Sequence, residues 1–149
     1  MIWVGKTRES WVKEGIEEYA GRTRRYIPLE LAEVREEKGA EAEQMRLREC
    51  QRLEKLIPPG AFVLLLDERG EQMSSPELAS LIGRQRDSGC SDLVLVIGGA
   101  YGFSEEFRRK RRLLSLSRMT FTHQMVRLFL LEQIYRGFTI LNNEPYHHE

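Results

Sequence analysis

Two short, unbroken apolar runs limit what this chain can become: Ala61-Phe-Val-Leu-Leu-Leu66 and Leu93-Val-Leu-Val-Ile97. A run without polar alternation suits a strand buried on both faces, and such burial belongs to parallel sheets covered by helices. Both runs fall far short of the roughly 18–20 apolar residues that span a bilayer. Between and around them lie stretches with helical spacing, so strands alternate with helices. That alternation predicts an α/β domain with a mostly parallel sheet flanked by helices. With 149 residues the chain is one domain long, and no linker or internal repeat divides residues 1–149.

Local signals place the other elements. Ile2-Trp-Val4 predicts a first strand, and Trp11, Val12, Gly15, Ile16, Tyr19 and Ala20 give residues 8–25 helical spacing. A second strand is expected over 29–34, after Pro28. A charged helix over 40–57 carries Leu47, Cys50, Leu53 and Ile57 on one stripe and stops at Pro58-Pro59-Gly60. At the next helix start, either Ser75 caps with Pro76 in first position, or Ser74 pairs with Glu77 in a capping box. Ser104 predicts the cap of a short basic helix containing Arg108-Arg-Lys-Arg-Arg112, and residues 113–117 a fifth strand. Thr122 caps a last helix, followed by an eight-residue polar tail with little reason to be ordered for stability. Ligands of parallel sheets sit beyond the carboxyl ends of the strands. Residues 66–68, 98–102 and 117–121 are therefore three expected walls of one site.

Charge sharpens this only locally. The 23 basic and 23 acidic residues cancel, which argues against a general polyanion binder. Within 108–136, however, eight basic residues face a single acid, Glu132. That stretch is either an anion-binding face or a solvated helix face. Two cysteines, Cys50 and Cys90, form neither a disulfide framework nor a metal motif. With no readable signal peptide, the expected setting is cytoplasmic. Neither GxGxxG, nor a phosphate-binding loop, nor a GxSxG elbow is present, and His123, His147 and His148 lack metal-ligand spacing. From residues alone, the reading is an α/β ligand-binding domain with a basic stretch and a Tyr/His tail.

Taken together, Leu66-Asp67, Ile97-Gly98-Gly99, Leu116-Ser-Arg-Met-Thr-Phe-Thr-His-Gln-Met-Val-Arg127, Glu132-Gln-Ile-Tyr-Arg136 and Glu144-Pro-Tyr-His147 resemble the RlmH family of SPOUT-class methyltransferases. The resemblance covers essentially the whole chain. It implies a homodimer of α/β domains, each with a C-terminal trefoil knot in which S-adenosyl-L-methionine binds. A knot runs against the general rules of chain topology, and no periodicity would have produced it. By matching position, the resemblance implies a methyl-donor site at Leu66, Gly98, Leu116, Ser117, Arg118, Met119, Thr120 and Phe121. It also implies the substrate: N3 of a pseudouridine in a 23S ribosomal RNA hairpin of the assembled ribosome, with neither membrane nor metal involved.

Under that resemblance His147 is the expected proton acceptor, since imidazole titrates near neutrality, and Tyr146 orients or stacks on the base. The family's tail ends Tyr-His followed by a basic residue, whereas His148 and Glu149 follow here. Arg109 and Arg112 are the expected RNA-phosphate contacts. A last helix apolar nearly all round is expected to bury one side against a partner subunit. Gly98→Val is expected to block the donor pocket without harming a surface-facing turn. The competing readings are a nucleotide- or small-molecule-binding module of flavodoxin or Rossmann kind, and a non-enzymatic ribosome-binding protein.

Overall fold

A computed structural model describes residues 1–148. Five strands and five helices follow one another as β1 (Ile2–Val4), α1 (Ser10–Thr23), β2 (Ala32–Val34), α2 (Ala42–Glu54), β3 (Phe62–Gln72), α3 (Ser75–Asp87), β4 (Leu93–Ile97), α4 (Glu105–Arg109), β5 (Arg112–Ser115) and α5 (His123–Leu141). The strands form one sheet in the order β2-β1-β4-β3-β5. Every strand pairing is parallel. The two apolar runs become its centre: Leu64, Leu65, Val94, Leu95, Val96 and Ile97 are buried, as strands with helices on both faces require.

The two faces carry separate cores. One gathers Trp3, Val12, Ile16, Leu64, Leu81 and Leu95 with Leu130, Leu131 and Ile134 of α5. The other packs Cys50 and Leu53 of α2 with Val4, Leu65, Val96, Phe103 and Phe107. α5 lies against both α1 and α3. Its apolar circumference is thus largely covered inside the chain, and the expectation that a partner must cover the second side is narrower than the helix pattern implied. Of the large side chains on α5, Phe129 is the exposed one, in edge contact with the exposed Phe121.

Several boundaries differ from expectation, each for a local reason. α2 starts at Ala42 and buries Met45, Glu49, Cys50 and Leu53, whereas Leu47 is exposed. Ser74, not Ser75, caps α3, because its hydroxyl accepts from Glu77 N while the Glu77 carboxylate accepts from Ser74 N. The basic helix ends at Arg109, so Arg112 opens β5 instead of riding on α4.

The largest difference is β3, which continues six residues past Leu66. Leu114 of β5 pairs with both Leu66 and Glu71 across a break in register. Gly70 makes this bulge possible: a Cβ there would lie 2.5 Å from the Leu114 carbonyl carbon. Gly70→Ala is expected to destabilise the fold by about 1–3 kcal/mol, because backbone atoms cannot rotate away from the added methyl. A urea titration showing a loss below about half a kcal/mol would refute that account of the bulge.

Candidate functional site

The carboxyl ends of β4 and β5 and the middle of β3, at Leu66–Glu68, open onto one cleft of about 570 Å³. Its lining joins all three expected walls: Leu66, Asp67 and Glu68; Gly98 to Gly102; and Ser117, Met119, Thr120 and Phe121. Leu116 also lines it, together with residues outside the three expected walls, among them Ile97, Arg108, Leu114, His123 and Val126. Arg118, also expected at the donor site, is exposed and is not among the residues that line the cleft.

Each wall has its own support. After β4 the backbone turns at Gly98–Gly102, closed by Gly102 N donating to Gly99 O at 3.0 Å, with Gly102 at φ +70. Gly98 is buried, and a Cβ on it would meet the Gly102 backbone and the Phe103 ring at 3.3 Å. The turn at this point faces inward, so Gly98→Val disturbs packing and is not a clean way to block the cleft. A Cβ on Gly99 would come 2.7 Å from Glu49 Oε2. Glu49 is itself buried, and burial raises its carboxyl above the ordinary carboxylate range. The third wall is held by Ser115 Oγ donating to Ser117 O and Ser117 Oγ accepting from Met119 N.

Asp67 and Arg108 tie the first wall to the second. Arg108 Nε donates to Asp67 Oδ2 at 2.6 Å, with both side chains largely buried. Its Nη1 donates to Glu105, which also accepts from Arg69. The basic stretch hid this role, since a sequence count treats Arg108 like its neighbours. On the opposite side stands His123, in the first turn of α5, where burial and then the Arg127 charge lower its pKa.

Of the expected RNA contacts, Arg112 is held by Glu71 at 2.7 Å, whereas Arg109 is exposed and has no ion pair among the described residues. Lys110 and Arg111 pair with Glu106 and Glu54. Within 108–112, and among the described residues, Arg109 alone can meet phosphate without surrendering a carboxylate. Arg109→Gln is expected to flatten the log–log salt dependence of RNA binding by roughly 0.7–0.9, and Arg112→Gln to change it by less than half as much. Equal slopes for the two variants would contradict this assignment.

The tail behaves unlike a loose end. The chain reverses at Asn143, φ 55, and returns onto α1 and α5. Tyr146 donates to Glu132 Oε1 at 3.0 Å, sits 3.2 Å from the Tyr19 hydroxyl and packs edge-on against Tyr135. Burial, then the Tyr19 and Glu132 hydrogen bonds, raise its pKa. Tyr26 donates to Glu144 at 2.5 Å, and Arg136 Nη1 lies 3.3 Å from His147 Nδ1. Tyr146 and His147 therefore gather at the second half of α5. The cleft is at its first turn, roughly 15 Å away at 1.5 Å per residue. Neither residue lines the cleft of its own chain. Glu149 lies outside the described residues.

A family profile described as "Predicted SPOUT methyltransferase" matches residues 1–147. "Ribosomal RNA large subunit methyltransferase H" of Pelobacter propionicus is 76% identical over 148 residues, 99% of this chain and 97% of that protein. Its namesakes from Citrifermentans bemidjiense and Geobacter sulfurreducens are 69% and 64% identical, covering 100% and 99% of this chain and 97% of each relative. With the walls of the cleft formed by the segments that carry the resemblance, and with identity of this level over the full length, the chain belongs to the SPOUT methyltransferases, in the ribosomal RNA large subunit methyltransferase H (RlmH) family.

Proposed function

We infer that this protein transfers a methyl group from S-adenosyl-L-methionine to N3 of a pseudouridine in 23S ribosomal RNA of the assembled ribosome, and that it works as a cytoplasmic homodimer. The observation that carries the reading is the cleft where β4 and β5 end beside the middle of β3, enclosed by Leu66, the Gly98–Gly102 turn, Leu116, Ser117 and Met119 to Phe121. Its donor set fits the methyl donor better than a phosphorylated nucleotide. The lining holds one guanidinium, Arg108, already neutralised by Asp67 and Glu105, so no spare cation awaits a phosphate. Aliphatic walls from Leu66, Ile97, Leu114, Leu116 and Val126 suit a nucleoside, and exposed backbone of the 98–102 and 116–121 segments can read its polar edge. The first turn of α5 presents the positive end of a helix dipole, suited to the amino acid carboxylate.

S-adenosylmethionine bound in this cleft supplies an electrophilic sulfonium methyl. The protein's part is positioning: the base must be held so that N3 lies in line with that methyl. Among the described residues, no hydrogen-bonded acid–base pair is assembled between His123 and the acids of the cleft of one chain, and Tyr146 and His147 are docked at the far end of α5. A second copy is the route by which a tail reaches a cleft. Exposed Trp11, Met119, Phe121 and Phe129 supply apolar surface for that contact. The C-terminal trefoil knot belongs to the same proposal, with residues 116–122 running beside the 98–102 turn before α5 packs between α1 and α3.

Calorimetric titration with S-adenosylmethionine tests the reading. Thr120 is exposed and lines the cleft, so Thr120→Trp is expected to fill the site without touching the core. Affinity should fall tenfold or more, about 1.4 kcal/mol, with an unchanged melting temperature. Unaltered binding to a folded Thr120→Trp protein would place the donor elsewhere, and sedimentation as a 17.4 kDa monomer at micromolar concentration would reject the dimer.

A further inference from the structure

The tail carries a hydrogen bond whose direction is not free. Arg136 Nη1 meets His147 Nδ1 at 3.3 Å, and a guanidinium has donors only. Nδ1 must therefore be the acceptor, without a proton. Arg136 is in turn fixed by Glu132, whose Oε1 accepts from Arg136 Nη2 at 2.6 Å and from the Tyr146 hydroxyl. The guanidinium also lies over the Tyr146 ring, 4.7 Å from its centroid. Two contacts hold Arg136 in place, and with it the face that His147 can use. An imidazolium would need a proton on Nδ1, which would abut the guanidinium proton and lose the bond.

We propose that Arg136 is a positioning residue that holds His147 as the neutral tautomer protonated on Nε2, so that His147 acts on the target base as a hydrogen-bond donor and not as the proton acceptor. The inference rests on the reading that the tail meets the base. Its chemistry is that of an imide. N3–H lies between two carbonyls, and charge released at N3 spreads onto both oxygens. An Nε2–H aimed at one of them stabilises that charge where it develops. The N3 proton passes to water, the N3 lone pair forms the bond to the methyl carbon, and the electrons of the carbon–sulfur bond return to sulfur. His147 finishes the cycle with its proton still on Nε2, ready without a recharging step. The same carboxylate links the two tail residues: Glu132 accepts from Tyr146 and from Arg136, the cation that meets His147.

The test uses the full-length protein with assembled ribosomes, comparing His147→Ala with His147→Gln. A glutamine amide can place an N–H near the Nε2 position but cannot serve as a base. His147→Ala is expected to lower kcat by about 10²–10³, and His147→Gln by no more than about tenfold, with KM for S-adenosylmethionine unchanged in both. In protein labelled with ¹⁵N-histidine at pH 8.5, the His147 signals, identified by their loss in His147→Ala, should show the proton on Nε2 and a bare Nδ1. Arg136→Met should lower kcat and let a share of the Nδ1-protonated tautomer appear, whereas Arg136→Lys, which keeps a donor, should retain most of both. Glutamine as inactive as alanine, or a proton found on Nδ1 in the unaltered protein, overturns the donor role and leaves the tail as the catalytic element. Full turnover in His147→Ala overturns the tail reading itself, and this inference with it.

Discussion

A chain ending at Pro145 is expected to fold and to bind S-adenosylmethionine with nearly full affinity, yet to lose methyl transfer by at least about 10²-fold. Affinity should survive because Tyr146 and His147 lie outside the cleft lining. Stability should not be wholly unchanged. Removing Tyr146 deletes its edge contact with Tyr135 and its bonds to Glu132 and Tyr19. An aromatic pair contributes about 0.5–1.5 kcal/mol, a fall of a few degrees in melting temperature for a domain of this size. The mixing experiment is more telling. Co-expressing the truncated chain with a Thr120→Trp chain pairs an intact cleft with an intact tail across a dimer, and should restore measurable turnover. If the mixture stays inactive while each partner folds, the tail acts within its own chain and the second copy is irrelevant to the chemistry.

Asp67→Ala is expected to cost about 3–5 kcal/mol, since removing one partner of a buried ion pair leaves the other charge uncompensated. Only 12% of the Arg108 side chain is accessible, so water cannot readily replace the lost carboxylate. Glu105, which is exposed, offers partial compensation through Nη1, placing the outcome near the lower figure. Donor affinity should fall with stability, because Arg108 also packs beside Gly102 and couples the β3 wall to the 98–102 turn. The double variant Asp67→Leu with Arg108→Met should regain most of the stability without restoring donor binding, since the walls then lack a polar tie. Denaturation and calorimetry on the parent, the single variants Asp67→Leu and Arg108→Met, and the double variant separate the two effects. A single Asp67→Ala variant within half a kcal/mol of the parent would show that the pair contributes little to either.

The apolar runs at 61–66 and 93–97, the capping signals at Ser104 and Thr122, and the three cleft walls were legible in order of residues, because each is a local property. A strand buried on both faces needs no polar alternation, a helix start must satisfy its own first amides, and a turn after a parallel strand opens toward ligand whatever lies elsewhere. Where β3 leaves the core, that legibility ends: Asp67, Glu68, Arg69 and Glu71 look like loop, and only the backbone of β5 beside Gly70 keeps them a strand.

Long-range pairing decided the rest. Eight basic residues in 108–136 look alike in sequence, yet the fold sends Arg108 to Asp67 and Arg112 to Glu71, each 41 residues away, whereas Arg136 pairs with Glu132 one helical turn back. It buries Arg127 completely, donating to Thr7 Oγ1 and the Val4 carbonyl across some 120 residues of chain. The tail, polar and without local periodicity, is ordered by tyrosines from α1 and α5 that no nearby residue announces. Local spacing therefore determined the elements and the end of the sheet where the cleft opens. Which charges in the basic stretch are free and which are neutralised depended on partners far apart in sequence, because a charge takes its meaning from the group that the tertiary fold sets against it.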